Sequence, residues 1–385
     1  LLTVPHAATG GDPARTLDAV RLMQLVLLAG IGWLGSAAWL RRGRPGAAAG
    51  WLVLLAANPL MAFAVDWGQV ELVAGLVLLA MWLRRRDGAT GLSWPDGLGL
   101  GLLALLRPEL VLAPALWWLL DWRGPRPAPR SLVAPALVFL VLAAPWCVRN
   151  LAVTGDPFFS VQAHAEHLKD TTHHPGYDIY RGLEPQSLPA TLADDPVPVL
   201  KKTWRGLEFF WREIPGLVPW LLLAVPLVGA LLLVRTRLYA RVAGDGEPPP
   251  DLAAGPGVAG VTVVLLAVLY AVYDHSLRHL TVMIPILLWE AGPVLADLPA
   301  EFVPAWFGKA DSRDTPLVRR AWFKAPAAAV CAGLLVLVMG EKPTGWDEAA
   351  AEADRRRPQV ARETQRLREA PAGVVFVQTS AATWY

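Results

Sequence analysis

The sequence is short of charge and of cysteine, and each shortage excludes a class of protein. Charged residues make up 18% of the 385 residues, whereas a soluble domain carries about 25%, so too few are present to cover a water-soluble surface of this size. The two cysteines, Cys147 and Cys331, lie in separate apolar segments, which excludes a disulfide framework and a cysteine-based metal site. Glycine-rich phosphate motifs, a Ser-His-Asp set with recognisable spacing and internal repeats are also absent from the sequence.

Apolar residues, by contrast, are abundant and come in long blocks. Hydrophobic residues make up 54% of the chain, and a helix needs about 20 residues to cross the hydrocarbon layer of a membrane. The blocks predict an all-α, polytopic integral membrane protein with about eight to ten membrane helices. They lie at 17–40, 47–64, 66–83, 97–106, 110–120, 131–146, 216–234, 256–273, 279–296 and 323–340.

Basic residues cluster in alternate loops between these blocks. Five loops carry three or more such residues: 41–44, 84–86, 123–130, 235–241 and 309–320. Cytoplasmic loops of membrane proteins are rich in lysine and arginine, so we expect these five loops in the cytoplasm. The extracytoplasmic side then receives the long loop 147–215 and the turn 274–279. The formal net charge of +2 gives no indication of nucleic-acid binding.

The segment 97–120 decides whether this alternation holds. A single crossing would put Arg107 and Glu109 near mid-bilayer, at about 3 kcal/mol each on insertion scales. Pro108 opposes a continued helix because it has no N–H and its ring clashes with the preceding turn. The sequence therefore favours two short half-helices that meet at Arg107-Pro108-Glu109, with one crossing as the alternative. Within the outer loop, residues 199–214 have the pattern of an amphipathic helix that lies flat in the outer membrane interface, with Lys201, Lys202 and Arg205 on its polar face toward water or lipid phosphates.

Several polar groups on the outer side are candidates for function. The candidates are Asp66 and Glu71; Arg107 and Glu109; Arg149 and Asn150; and Asp274, His275, Arg278 and His279. Each set also has an ordinary structural interpretation: a helix-dipole contact for the first pair, a buried ion pair for the second, a helix exit for the third and a polar turn for the last set. The loop histidines His164, His167, His173 and His174 lack the ligand spacing of a zinc site, and we predict no metal centre.

The C-terminal part differs from the rest of the chain. Residues 346–370 are charged and helix-forming, and 373–378 have the pattern of a strand. We expect residues 1–340 to form the membrane module and 341–385 to begin a small extracytoplasmic α/β domain. Because the sequence starts at Leu1 and stops soon after this strand, we also expect it to be a piece that is open at both ends.

The order of short motifs resembles one known group of membrane enzymes. The motifs are Asn58-Pro59 with Glu71, Arg107-Pro108-Glu109, Pro145-Trp146-Cys147-Val148-Arg149-Asn150 followed by Gly155-Asp156-Pro157-Phe158-Phe159, and Arg278-His279-Leu280 with Pro285. As a set, over residues 15–340, they resemble the GT-C membrane glycosyltransferases, in the branch of the protein O-mannosyltransferases and aminoarabinose transferases.

The resemblance implies a multi-pass enzyme of the bacterial inner membrane and cell envelope. Such an enzyme transfers a sugar from a polyprenyl-phosphate donor to a lipid, glycan or protein acceptor, by an inverting displacement on the extracytoplasmic side. The catalytic carboxylate of the family lies in the first outer loop, so we expect it before Leu1, and we expect this piece to be inactive alone. The resemblance leaves open whether a divalent cation takes part.

The resemblance and the chemistry together suggest roles for the candidates. Cations near the headgroups can stabilise the leaving phosphate, which suits Arg107, Arg149, Arg278 and His279. Asp66 and Glu71 are the carboxylate candidates within this chain, and Glu109, Asn150, Asp274 and His275 can line the acceptor side. Two alternatives stay open, a transporter or flippase of a lipid-linked saccharide and a non-catalytic membrane assembly subunit.

Overall fold

The computed structural model describes residues 13–66, 70–87, 92–120, 129–159, 165–171, 174, 187–217 and 251–292, which all belong to one compact unit. These residues are mostly helical and include no strand. The α-helices are α1 (Pro13–Arg41), α2 (Pro45–Ala57), α3 (Pro59–Asp66), α4 (Glu71–Arg86), α5 (Trp94–Leu106), α6 (Leu112–Leu120), α7 (Pro129–Thr154), α8 (Leu188–Asp194), α9 (Pro196–Leu217), α10 (Asp251–Tyr273) and α11 (284–292). Short 3-10 helices cover Pro108–Val111 and Leu277–Met283.

Three of the helices are long and apolar enough to cross a membrane. The qualifying stretches are Arg15–Arg41 in α1, Leu132–Thr154 in α7 and Gly255–Tyr273 in α10. On α7 the apolar side chains point outward, and Val133, Leu137, Val141 and Val148 are all more than half exposed. Such a surface is unfavourable in water and favourable in lipid. These helices indicate a membrane protein, as the sequence predicts.

The apolar block 47–64 forms two helices rather than the one that we expected. α2 and α3 meet at Asn58-Pro59 with a bend of 59°. Pro59 has no N–H to continue the ladder of α2, and the Asn58 side-chain oxygen accepts hydrogen bonds from the backbone N–H groups of Leu60 and Met61 at 3.0 and 3.3 Å. Asparagine is among the preferred residues for such a helix start. If α2 and α3 are counted together as one broken span, the described residues contain four candidate membrane spans.

The break predicted within 97–120 is present at the predicted residues. α5 ends at Leu106, Arg107 is extended with φ −159° and ψ 102°, and Pro108 begins the 3-10 turn that leads into α6. The predicted block 323–340 and all but the first two residues of the block 216–234 lie outside the described residues, as do the strand at 373–378 and the domain beginning at 341. A total of eight to ten spans therefore stays a prediction.

Glycines bring α5 and α7 together. A Cβ atom on Gly97 would lie 2.2 Å from the Pro135 carbonyl oxygen, and one on Gly101 would lie 2.7 Å from a methyl carbon of Leu142. Both distances are shorter than any real contact, so only glycine permits this approach. The half-helix α5 is thus held against a helix of membrane-spanning length.

Two polar clusters occupy opposite ends of this helical unit. At one end, the buried Glu290 of α11 accepts a hydrogen bond from Trp82 Nε1 at 2.8 Å and lies 3.4 Å from Arg86 Nε. Glu71 belongs to the other cluster, and fifteen residues of α4 separate it from Arg86, which is about 22 Å at 1.5 Å per residue. Along α4 between the two clusters, the buried side chains are apolar: Leu72, Ala74, Leu78, Leu79, Met81, Trp82 and Leu83.

Candidate functional site

The break before Pro108 places the Arg107 side chain inside the protein. Its Nε lies 2.7 Å from Glu109 Oε1, and its NH1 lies 3.3 Å from Glu71 Oε1. Residues two apart on a helix do not face each other, but Arg107 is extended rather than helical, and its side chain can therefore reach Glu109. Its side chain is only 8% exposed. Paired buried charges of this kind are costly to separate.

His279 joins Arg107 to the turn that follows α10. One ring nitrogen of His279, Nδ1, contacts Arg107 NH1, and the other, Nε2, lies 2.9 Å from Asp274 Oδ2. A guanidinium has only donors, so Nδ1 must accept, and the ring proton must then sit on Nε2 and be donated to Asp274. Burial and the nearby Arg107 charge agree with this neutral ring, because they lower the pKa of His279 to about 3.

Asp274 contacts the remaining charged side chains of the site. In addition to its hydrogen bond with His279, its Oδ1 lies 3.4 Å from Lys169 Nζ and its Oδ2 lies 3.8 Å from Arg278 NH2. Burial alone would raise the pKa of this carboxyl, but the hydrogen bond from His279 and the two cations outweigh it, and the pKa is lowered. We call the six charged side chains and His279 the Asp274 network. Its members are Glu71, Arg107, Glu109, Lys169, Asp274, Arg278 and His279. With His279 neutral, its three carboxylates balance its three cations.

An apolar cavity of about 770 Å³ adjoins this network. Its walls come from α5, the 3-10 turn after Arg107, α6, α7, Phe158 and α10, and most of the lining is aliphatic or aromatic. Glu109 lines the cavity and is also a member of the Asp274 network. Tyr270 and Tyr273 of α10 line it as well, and the Tyr270 ring stacks on the His279 ring at 4.7 Å. The Glu109 carboxylate therefore belongs both to the wall of the apolar cavity and to the charged network.

Six of the predicted residues come together in the Asp274 network: Glu71, Arg107, Glu109, Asp274, Arg278 and His279. Three others have different surroundings. Arg149 is exposed on α7, Asn150 donates to the Phe159 carbonyl oxygen at 2.9 Å, and His275 stacks on Phe209. The tenth, Asp66, is the last residue of α3, and its side chain lies outside the described part of the structure.

Arg278 is the most accessible cation of the network for a ligand. Its side chain is 33% exposed, against 11% for Lys169 and 8% for Arg107, and its contact with Asp274 is long. Arg107 is instead held by two carboxylates and a histidine. The phosphate contact that we expected of Arg107 stays a prediction.

Two lysines at or beside the Asp274 network were not among the predicted site residues. Lys169 pairs with Asp274, and Lys202 donates to the carbonyl oxygens of Glu166 and Tyr273, the latter at 2.7 Å. The expectation that Lys202 faces water is wrong, because its side chain is 1% exposed and its burial lowers the pKa to about 8. Helical spacing places Lys202 near the polar face, but only the position of α10 shows that this side is covered.

The loop histidines have ordinary partners where they are described. His167 is buried with Nε2 2.9 Å from Thr191 Oγ1, while His164 and His173 lie outside the described residues. In the described part of the chain, no three His, Cys, Asp or Glu side chains converge closely enough to hold a metal ion.

Family models, curated proteins and solved structures give no match to this chain. The fold and the site therefore have to be interpreted from their own chemistry. They combine membrane-length apolar helices, an apolar cavity and a buried, balanced charge network.

Proposed function

We propose that this protein transfers a sugar from a polyprenyl-phosphate donor to an acceptor at the extracytoplasmic face of the membrane. The observation that carries the proposal is the position of Glu109, which lines the apolar cavity and also pairs with Arg107 in the Asp274 network. A lipid-linked sugar has the same two parts, an apolar chain and a charged head. The resemblance to GT-C glycosyltransferases over residues 15–340 supports the same reaction.

The apolar lining favours a lipid over a free sugar or nucleotide. The cavity volume of about 770 Å³ falls within the roughly 300–1,000 Å³ that is typical of ligand pockets. A free sugar in this cavity would leave most of its hydroxyl groups without partners, which is costly. An isoprenoid chain has no polar groups to satisfy. We therefore assign the cavity to the part of the carrier next to the phosphate.

The charged side chains then have separate tasks. Displacement at the anomeric carbon forms a bond to the acceptor oxygen, breaks the bond to the phosphate and leaves the negative charge on the carrier. Arg278, which is partly exposed, is placed to bind that phosphate, since arginine presents a planar fork of donors. Arg149 is a second exposed cation for the same group. Glu109 accepts a hydrogen bond from the acceptor, and the acceptor proton passes to a carboxylate, for which Asp66 and Glu71 are the candidates within this chain.

A transporter or flippase of a lipid-linked saccharide is the second candidate. It is supported by the two broken helical pairs, α2 with α3 and α5 with α6. Discontinuous helices that end near the bilayer centre are a common element of transporter binding sites. Such a protein would bind the donor with the same groups but would release no sugar.

Sugar release in proteoliposomes tests the proposal. The full-length protein is incubated with a radiolabelled polyprenyl-phosphate sugar and a mixed acceptor fraction, and donor binding is measured separately. We expect Arg278→Ala to lower the rate about a hundredfold, the usual effect of losing one donor to a developing negative charge. Arg278→Lys should restore little of it, because a point charge lacks the two-pronged contact.

Arg41→Ala is the matched control, because the Arg41 side chain is 60% exposed at the end of α1 and its ion pair, with the exposed Asp87, lies outside the Asp274 network. It should keep the wild-type rate. Near-normal turnover in Arg278→Ala would disprove the phosphate role. Saturable donor binding by the wild-type protein without any sugar release would support the transporter instead.

A further inference from the structure

Helix α9 has three faces rather than the two of an ordinary amphipathic helix. Its buried face carries Val199, Lys202, Gly206 and Phe210. The apolar stripe consists of Val197, Leu200, Trp204 and Trp211, and each of these side chains is more than half exposed. The charged stripe consists of Lys201, Arg205, Glu208 and Arg212, which are also exposed. At 100° per residue the two exposed stripes are adjacent, and the buried face lies on the other side of the helix.

The buried face holds α9 against the last residues of α10. Lys202 donates to the Tyr273 carbonyl oxygen at 2.7 Å. A Cβ atom on Gly206 would lie 2.5 Å from His275 Nε2 and 2.7 Å from the Ala271 Cα atom, so the two backbones approach closely. α10 contains a stretch of membrane-spanning length that ends at Tyr273. The middle of α9 is therefore fixed at the level where this candidate span ends.

Neither water nor the membrane interior suits the exposed surface of α9. Two exposed tryptophans and two exposed aliphatic residues in one stripe are unfavourable in water, since one large aromatic ring offers about 150–250 Å² of surface for burial. A transmembrane position would place the charged stripe in hydrocarbon, at about 3 kcal/mol for a central arginine or lysine. The headgroup region meets both needs, and tryptophan concentrates there.

We propose that α9 docks on the surface of the lipid bilayer at the outer end of α10. The apolar stripe enters the edge of the hydrocarbon layer, and the charged stripe lies among the headgroups and in water. This proposal concerns a membrane contact and holds whatever reaction the protein performs. The sequence alone suggested an interfacial helix with Lys202 turned outward, whereas the structure uses Lys202 to attach that helix to the protein.

The attachment links the bilayer surface to the Asp274 network. Lys202 also donates to the Glu166 carbonyl oxygen, in the loop that provides Lys169, and Tyr273 directly precedes Asp274. Arg205 donates to the Asp170 carbonyl oxygen of the same loop at 2.7 Å. The helix proposed to dock on lipid therefore also holds the two backbone segments that carry Lys169 and Asp274.

Spin labels on the full-length protein in phosphatidylcholine and phosphatidylglycerol vesicles test the docking. Single cysteines replace Trp204 or Trp211 in the apolar stripe and Lys201 or Arg212 in the charged stripe, in a background with Cys147→Ser and Cys331→Ser. Val141, which is 71% exposed on α7, supplies a lipid-facing reference. Collision rates with oxygen, which enters lipid, and with a water-soluble nickel chelate are compared at each position.

We expect oxygen collisions to dominate at positions 204 and 211 and nickel collisions to dominate at positions 201 and 212. The depth at 204 and 211 should be about 5–10 Å below the headgroups and shallower than at 141. Nickel access at 204 and 211 would show that the stripe faces water. Protection of both positions from both reagents would show that protein covers it, either residues outside the described part or a second copy. Each of these two results would overturn the proposal, and neither depends on sugar transfer.

Discussion

His279 Nε2 donates a hydrogen bond to Asp274 Oδ2 across 2.9 Å while the other ring nitrogen accepts from Arg107. A carboxylate thus fixes the tautomer of the imidazole, and the imidazole orients the guanidinium that pairs with Glu109 at the cavity wall. Carboxylate–histidine pairs commonly orient a functional group in this way. The turn after α10 is therefore connected to the cavity wall through the side chains of His279 and Arg107.

Acid should destabilise the protein through His279. Its pKa is lowered from the ordinary value of 6.5 to about 3 by burial, so between these values the unfolded chain binds a proton that the folded protein excludes. Stability should therefore fall as pH falls below about 6.5, by at most about 1.4 kcal/mol per pH unit from this residue. The lowered pKa of Asp274 acts in the same direction near pH 4 and below.

Thermal unfolding midpoints in detergent, measured from pH 7.5 to 4.5, check this prediction. His279→Gln removes the titrating ring and should flatten the dependence between pH 6.5 and 5, although its stability at pH 7.5 is lower. Equal slopes in the wild type and in His279→Gln would contradict the neutral state of His279.

Removal of the Glu290 carboxylate should be strongly destabilising. Glu290→Ala leaves Trp82 and Arg86 without their buried acceptor, and breaking a buried ion pair costs about 3–5 kcal/mol. Glu290→Gln keeps an oxygen for Trp82 and should lose less. The measurement is the thermal unfolding midpoint in detergent at pH 7.5.

Asp87→Ala is the control for Glu290, because Asp87 also pairs with arginine but is 46% exposed. Exposed pairs contribute about 0–1 kcal/mol, so this variant should stay close to the wild type. An equal loss of stability in both variants would argue against a special role for the buried pair.

The contact between α5 and α7 should not tolerate a methyl group at Gly97. Gly97→Ala places a Cβ atom against the Pro135 backbone, and overpacking of this kind costs about 1–3 kcal/mol. Gly30→Ala in α1 meets nothing within 4 Å, so it should keep stability or raise it by up to about 1 kcal/mol. Unfolding midpoints of the two variants decide the matter, and two similar values would refute the close approach.

Sidedness can be measured at two exposed positions. A cysteine that replaces Ser187, before α8, should react with a membrane-impermeant maleimide in intact cells, because the loop 147–215 is predicted outside. One that replaces Arg44, in the arginine-rich loop after α1, should react only after the membrane is opened. Both positions are exposed in the structure. Labelling of both from the same side would disprove the topology.

The elements of the site that depend on local sequence could be predicted, and those that depend on packing could not. Pro108 marks the break that frees Arg107, and α7 and α10 stand out by their length and apolar content. In contrast, 172 residues separate Arg107 from His279, and helical periodicity contains no information about such a distance. The burial of Lys202 was missed for the same reason, since it depends on where α10 lies.

Asn58-Pro59 shows a different kind of failure. The dipeptide was recognised as part of a motif, but hydropathy alone predicts one continuous block over 47–64 because the residues on both sides are equally apolar. The bend comes from the missing N–H of Pro59 and from the hydrogen bonds of the Asn58 side chain. Local hydrogen-bond chemistry, rather than average hydropathy, ends α2.

The short distance between the polar ends of α4 bears on the choice of lipid. Glu71 and Arg86 are separated by about 22 Å of helix, whereas the hydrocarbon core of a typical bilayer is about 30 Å thick. Because Glu71 is buried, the surrounding protein rather than lipid shields this end of α4, and the longer candidate spans Arg15–Arg41, Leu132–Thr154 and Gly255–Tyr273 set the thickness that the bilayer has to match. Bilayers of ordinary thickness should therefore accommodate the protein without thinning.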